Sequence, residues 1–224
     1  MPDISALFWD VGGVSLTNGW DRGSRRKAVE TFNLDWNEFE DRHELMLHPF
    51  ETGKLTLDQY LQRTIFYKQR SFAPGQVKEF IFSQSQPFPE SLAVIRKLAD
   101  SGLYLMAALN NESREINEYR IEKFGLRDCY DVFLSSCYLG VRKPDPAIYQ
   151  LALEITQRKP AECVFVDDRN LNLECARELG IGAIQFQSAA QLAKELANRG
   201  VRVDQPANSA AAVAPASGVR SSGA

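Results

Sequence analysis

Five short apolar runs constrain the fold of this chain more than any other feature: "SALFWDV" from Ser5, "LYLMAAL" from Leu103, "YDVFLSS" from Tyr130, "CVFVD" from Cys163 and "AIQF" from Ala183. Each has the length of a strand rather than of a buried helix. Segments of helical character separate them. "PESLAVIRKLADSG" carries apolar residues at helical spacing and closes on Gly102, "PDPAIYQLALEIT" opens with early prolines, and "RNLNLECARELG" closes on Gly180. Strands alternating with helices predict an α/β fold: a doubly wound, parallel, five-stranded, Rossmann-like sheet with helices on both faces and right-handed crossovers.

The alternation breaks between residues 17 and 86, where "SRRKAVETFNL", "WNEFEDRHELML", "TLDQYLQRTIFY" and "GQVKEFIFSQS" all read as helices with no strand between them. The expected organisation is a core of residues 1–16 and 87–202, with an inserted α-helical cap over residues 17–86. Because the insertion follows the first strand, it should sit over the carboxyl edge of the sheet, where open α/β folds bind ligands. Residues 203–224, "VDQPANSAAAVAPASGVRSSGA", have too few bulky side chains to offset the entropy of ordering and are expected to form a disordered tail.

Composition removes several function classes. With 26 Lys plus Arg against 29 Asp plus Glu there is no basic surface for nucleic acid. No apolar run approaches the roughly 18 residues that cross a bilayer, and the N-terminus lacks a signal-peptide pattern, so a cytoplasmic protein with no membrane partner is expected. Cys129, Cys137, Cys163 and Cys175 are scattered in or beside apolar segments, which favours reduced thiols over disulfides or a zinc site.

The chemistry lies where the runs end. Asp10 follows the first, Asn110 and Asn111 the second, Lys143 comes a few residues past the third, and Asp167 and Asp168 end the fourth. One acid after a strand is ordinarily a cap or turn residue. In a parallel sheet, however, all of these ends share one edge, and a buried carboxylate needs a partner. Clustered carboxylates hold Mg²⁺ through hard oxygen ligands while leaving room for water and a phosphate oxygen. A carboxylate beside such a cation can attack phosphorus, with Lys143 supplying positive charge and an Asn amide donating to an equatorial oxygen.

In these stretches the sequence resembles the haloacid dehalogenase superfamily of phosphohydrolases. "FWDVGGV" is similar to the nucleophile loop, "LNNES" to the second motif, "GVRKPDPAIY" to the lysine motif and "VFVDDRNLNLECARELG" to the acidic metal motif, in the family's order over roughly residues 5 to 200. "KPDPAIY", the Asp-Asp pair and the cap segment "FETGKLTLDQYL" resemble the branch of sugar-phosphate phosphatases and the N-terminal phosphatase domain of soluble epoxide hydrolase. The resemblance implies a Mg²⁺-dependent phosphatase that cleaves a small phosphorylated metabolite through an aspartyl-phosphate, as a monomer or homodimer. Asp10 is then the nucleophile and a metal ligand, the Gly12 carbonyl and Asp168 further ligands, and Asp167 a support of the metal shell. Gly12, Gly13, Asn110, Asn111 and Lys143 surround the phosphate, and Asn172 holds a metal-bound water.

Two positions depart from the pattern. Asn110 stands where the family has Ser or Thr, and Gly12 where most of its phosphatases carry a second Asp that protonates the leaving group. General acid–base catalysis contributes roughly 10²–10⁴-fold, so Gly12 keeps two alternatives open: a dehalogenase using the same aspartate on carbon, and a non-catalytic phosphate-binding relative. His43 and His48, five residues apart, do not share a helical face and are expected to pack rather than bind metal, while Arg42 or His43 remain candidates for substrate contact. Trp20, Asp21 and Arg22 read as a linker, and "SRRK" from Ser24 as a solvated helix face.

Overall fold

The computed structural model describes residues 3–203, so the tail expected over residues 203–224 lies, but for its first residue, outside the described residues. Five parallel strands, β1 (Ala6–Trp9), β2 (Leu105–Ala108), β3 (Val132–Phe133), β4 (Cys163–Asp167) and β5 (Gly182–Gln185), form one sheet in the order β3-β2-β1-β4-β5. Trp9 pairs with Ala108 on one side and Val166 on the other, so the central strands end in step. That register brings Asp10, the Asn110–Asn111 pair and the Asp167–Asp168 pair to one edge.

Four helices lie between β1 and the next crossover: α1 (Arg22–Thr31), α2 (Trp36–Glu51), α3 (Leu57–Thr64) and α4 (Pro74–Ser83). Their starts are written locally. The Asp21 and Asp35 carboxylates accept from the N–H groups of Ser24 and Glu38, and Thr56 and Gln59 form a capping box. α2 continues beyond the "WNEFEDRHELML" segment and through Pro49 in its last turn, which removes the N–H that would donate to Leu45 O, and buried Phe50 anchors the end. Trp20, Phe39, Tyr60, Leu61, Val77 and Ile81 give these helices a core of their own, joined by Ile116.

The remaining helices are α5 (Pro89–Ser101), α6 (Arg114–Lys123), α7 (Ser136–Leu139), α8 (Pro146–Thr156), α9 (Asn170–Glu178) and α10 (Ala189–Asn198). Strand alternation divides the sheet's side chains between two cores. Leu7 and Trp9 of β1 pack with Leu92, Ile95 and Leu98 of α5 and Leu192 and Leu196 of α10. Ala6 and Phe8 face Ile148, Tyr149 and Ala152 of α8 and Leu173 and Ala176 of α9. The four cysteines are free thiols, three of them buried.

Two passages connect the helical segment to the sheet, and they are tied together. Thr17 N–H donates to Gln86 O at 2.8 Å, and Gln86 N–H to Thr17 Oγ1 at 2.9 Å. Arg120 of α6, 2% exposed, clamps both passages, its Nη2 on Thr17 O and its Nε on Ser85 Oγ.

Candidate active site

A cavity of about 280 Å³ opens between the carboxyl edge of the sheet and the helical segment. Asp10, 8% exposed, reaches it from the end of β1: its N–H continues the ladder to Val166 O at 2.8 Å, and its Oδ1 accepts from Val11 N–H at 2.8 Å. The Lys143 ammonium sits 3.1 Å from Asp10 Oδ2 and 2.6 Å from Asp167 Oδ2. Burial pushes the Asp10 carboxyl up to about 8, assisted by Asp167 and Asp168 and opposed by Lys143. Three carboxyl groups thus gather beside a single ammonium.

Asn111 braces that lysine. Lys143 N–H donates to Asn111 Oδ1 and Asn111 Nδ2 donates to Lys143 O, both at 2.8 Å, so the loop after β3 is clipped to the end of β2. Asp167 is fully buried, with its oxygens taken by Lys143 Nζ, Asn172 Nδ2 and Arg169 N–H. It positions the ammonium, and Asn172 positions Asp167. Asp168 differs, because its Oδ1 is buried with no hydrogen-bond partner. Carboxylate oxygens of Asp10, Asp167 and Asp168 lie within 4.8 Å of one another, and an orphaned carboxylate oxygen beside two further acids fits a hard divalent cation such as Mg²⁺.

The structure brings Asp10, Gly12, Asn111 and Lys143 together at the cavity but not Asn110. Expected at the phosphate, the Asn110 side chain instead donates to Asn117 Oδ1 at 3.0 Å and accepts from Ser135 Oγ at 2.8 Å, behind the strand ends. Successive residues leaving a strand point to opposite sides, so only one of two adjacent asparagines can face the ligand. The glycines also divide their work. Gly13 has φ +77°, and a Cβ there would lie within 2.5 Å of Asp168 Cγ; Gly12 is outside the left-handed region, with its would-be Cβ 3.0 Å from Asn18 Oδ1 and 3.8 Å from Arg120 Nη1.

The helical segment contributes more than its sequence announces. Trp20, Arg22 and Arg25 line the cavity rather than forming a linker and a solvated face. Arg25, 9% exposed, is held by Glu40 in a two-pronged ion pair with contacts at 3.0 and 2.9 Å, and donates to Trp20 O. His43 also faces the cavity and is 1% exposed, whereas Arg42 turns away to stack on Tyr67, 3.4 Å from its ring centroid. The Trp20 indole can only donate, so Tyr60 Oη accepts from it at 3.0 Å, and the same hydroxyl shares a hydrogen bond with His43 Nδ1 at 2.8 Å. Burial holds His43 down to about 4, which makes the imidazole neutral.

Two further pairs went unread in the sequence: Arg142 Nε lies 3.0 Å from Glu51 Oε2, and Arg120 Nη1 lies 2.9 Å from Glu112 Oε2. All four residues line the cavity. Lone charged residues on helices and loops give no periodic signal, although Glu112 stands directly after the two asparagines of the second motif.

A family model described as haloacid dehalogenase-like hydrolase matches residues 5–180. Flavin mononucleotide hydrolase 1 of Arabidopsis thaliana is 30% identical over 75% of this chain and 67% of its own length. Bifunctional epoxide hydrolase 2 of Sus scrofa is 38% identical over 86% of the chain, which spans only 38% of that longer protein. Among solved structures, the HAD family enzyme bt-2542 of Bacteroides thetaiotaomicron superposes with a TM-score of 0.73 at 22% identity, over 83% of this chain and 95% of that one. The same enzyme has been solved with magnesium and inorganic phosphate, where the TM-score is 0.67.

Proposed function

This chain belongs to the haloacid dehalogenase-like hydrolases, and from that premise we propose that it is a Mg²⁺-dependent phosphatase that hydrolyses a small phosphorylated metabolite through an aspartyl-phosphate on Asp10. The observation that carries the proposal is the Lys143 ammonium lodged between Asp10 and Asp167, beside the unpartnered oxygen of Asp168. Asp10, Asp168 and the Gly12 carbonyl would hold the ion, which when bound would neutralise part of the phosphate charge.

The chain's own residues supply the rest. Asp10 Oδ attacks phosphorus, forming a P–O bond as the bond to the leaving oxygen breaks, and water later cleaves the acyl phosphate. Lys143 draws the phosphate toward the nucleophile and favours the ionised form of Asp10, opposing the burial that favours its protonated form. Asn111 fixes the Lys143 backbone and thereby the ammonium. Helices α1 to α4 act as the cap, whose Arg22, Arg25 and His43 select the organic part of the substrate. The cavity is at the small end of the range for ligand sites, ~300–1,000 Å³, which suits a compact metabolite.

Release of inorganic phosphate from an aryl phosphate, measured with Mg²⁺ and with excess chelator, tests the proposal. Turnover should need the ion and vanish in Asp10→Asn. Phosphate release undiminished in chelator would remove the metal from the reaction, and chloride release from a 2-haloacid with no phosphate turnover would replace the phosphatase with a dehalogenase.

A further inference from the structure

An alkoxide is a poor leaving group near neutral pH, so transfer of phosphate from an alcohol to Asp10 needs a proton donor within the cavity. Position 12, a glycine, has none to offer. Four other groups that could carry such a proton line the cavity: Asp21, His43, Glu51 and Glu112. Asp21 starts α1, on the cap side, where its carboxylate accepts from Ser24 N–H. His43 is wedged between Phe39 and Tyr60 in the helical core. Glu51 belongs to α2, on the cap side, and faces Arg142.

Glu112 is placed differently. It comes from the loop after β2, adjacent to Asn111, and is 6% exposed. Its Oε1 accepts from Ser113 N–H at 2.9 Å, Arg120 Nη1 stands 2.9 Å from its Oε2, and the same nitrogen is 3.8 Å from where a side chain at position 12 would begin. Gly19 makes room for this guanidinium: a Cβ there would collide with Arg120 Nη2. The space a residue at position 12 would enter is therefore bordered by a guanidinium that already presents a carboxyl group.

We propose that Glu112, oriented by Arg120, is the general acid and base of this site, acting from the second strand's loop in place of the residue absent at position 12. The inference rests on the phosphatase reading. As Asp10 Oδ bonds to phosphorus, the leaving oxygen takes the broken bond's electron pair and then the Glu112 proton. Glu112, now a carboxylate, removes a proton from the water whose oxygen attacks the acyl phosphate, which frees phosphate and the Asp10 carboxylate and restores the acid. Burial pushes Glu112 up to about 7, in the range where one group can both give and take a proton. The charged and titratable groups facing it are Arg120 of α6, which opposes that rise, Glu51 of α2, which adds to it, and the Cys137 thiol of α7.

The test compares an alkyl and an aryl phosphate with the full chain and Mg²⁺. Glu112→Gln should lower kcat/KM on the alkyl substrate by about 10²–10⁴-fold and on the aryl substrate, whose leaving group needs no proton, by less than about tenfold. The fall in wild-type alkyl kcat/KM as pH rises through about 7 should disappear in the variant. Adding Gly12→Asp should restore alkyl turnover, since a carboxylate there meets the Arg120 guanidinium that has lost its carboxylate partner. If Glu112→Gln melts early, Glu112→Asp is read by the same ratio, a selective alkyl loss supporting the role. An unchanged alkyl-to-aryl ratio in a folded variant, or a selective alkyl loss in Glu51→Gln instead, overturns it. Wild-type protein that cleaves neither phosphate would overturn the phosphatase reading itself, an outcome distinct from both.

Discussion

The Lys143 ammonium lies 3.1 Å from Asp10 Oδ2 and is itself 1% exposed, so the nucleophile and its counter-charge are buried as a unit. The same ammonium holds Asp167 at 2.6 Å. Replacing it with a neutral chain of similar length, Lys143→Met, leaves two buried acids without their cation. Breaking a buried pair in this way costs about 3–5 kcal/mol, so urea unfolding of the metal-free variant should show a loss of that size. Phosphate turnover should disappear with it, because the phosphate loses the ammonium that draws it to Asp10 and the Asp10 carboxyl is pushed up further.

The orphaned Asp168 oxygen gives the metal its own test, independent of turnover. Mg²⁺ at 100 times its dissociation constant should stabilise the protein by about 2.7 kcal/mol, read as a rise in melting temperature. Asp168→Ala should abolish most of that rise while changing the metal-free melting temperature little, since Oδ1 has no partner and Oδ2 accepts only a long hydrogen bond, 3.5 Å, from Asn18 Nδ2. A full Mg²⁺ response in Asp168→Ala would assign the ion elsewhere.

His43 provides a pH dependence. Its folded value, about 4, lies below the unfolded 6.5 because burial disfavours the imidazolium, so the unfolded chain binds more protons between those values. The neutral histidine's contribution is present above about 6.5 and is lost as pH falls toward 4; at roughly 1.4 kcal/mol per unit, the loss is at most about 3 kcal/mol. His43→Phe, which cannot charge, should flatten the stability profile over that window while weakening the Tyr60 contact at all pH values.

Much of the sheet and its edge was legible, for a topological reason. Parallel strands joined by crossovers must end on one side, so Asp10, Asn111, Lys143 and the Asp167–Asp168 pair were collected by counting runs alone. Side-chain direction was not legible, and Asn110 and Asn111 look equivalent until strand geometry turns one of them inward to Asn117 and Ser135. Arg25 was hidden by its neighbours: "SRRK" has the composition of a solvated face, and only Glu40, fifteen residues on, makes its burial affordable. Arg120 and Glu112 are eight residues apart and their pairing is set by how α6 meets the hinge, which no local pattern encodes.

The loop "DVGGV" separates backbone demand from side-chain space at adjacent glycines. Gly13, at φ +77°, holds a conformation that costs an L-residue roughly 1–2 kcal/mol, and its Cβ would fall on the Asp168 carboxylate. Gly12 has neither constraint: the tightest contact of its would-be Cβ is Asn18 Oδ1 at 3.0 Å, a side-chain atom that can shift, and Asn18 Cα at 3.4 Å and Arg120 Nη1 at 3.8 Å are ordinary contacts. Gly13→Ala should therefore lower metal-free stability by about 1–2 kcal/mol and also suppress the Mg²⁺-induced rise in melting temperature, because Asp168 must move. Gly12→Ala should fold and respond to Mg²⁺ much as the parent does. The comparison is sharp because each variant adds one methyl group, so their difference in Mg²⁺ response reports the closeness of Gly13 to Asp168; equal responses would mean that Asp168 is not the ligand this loop was shaped around.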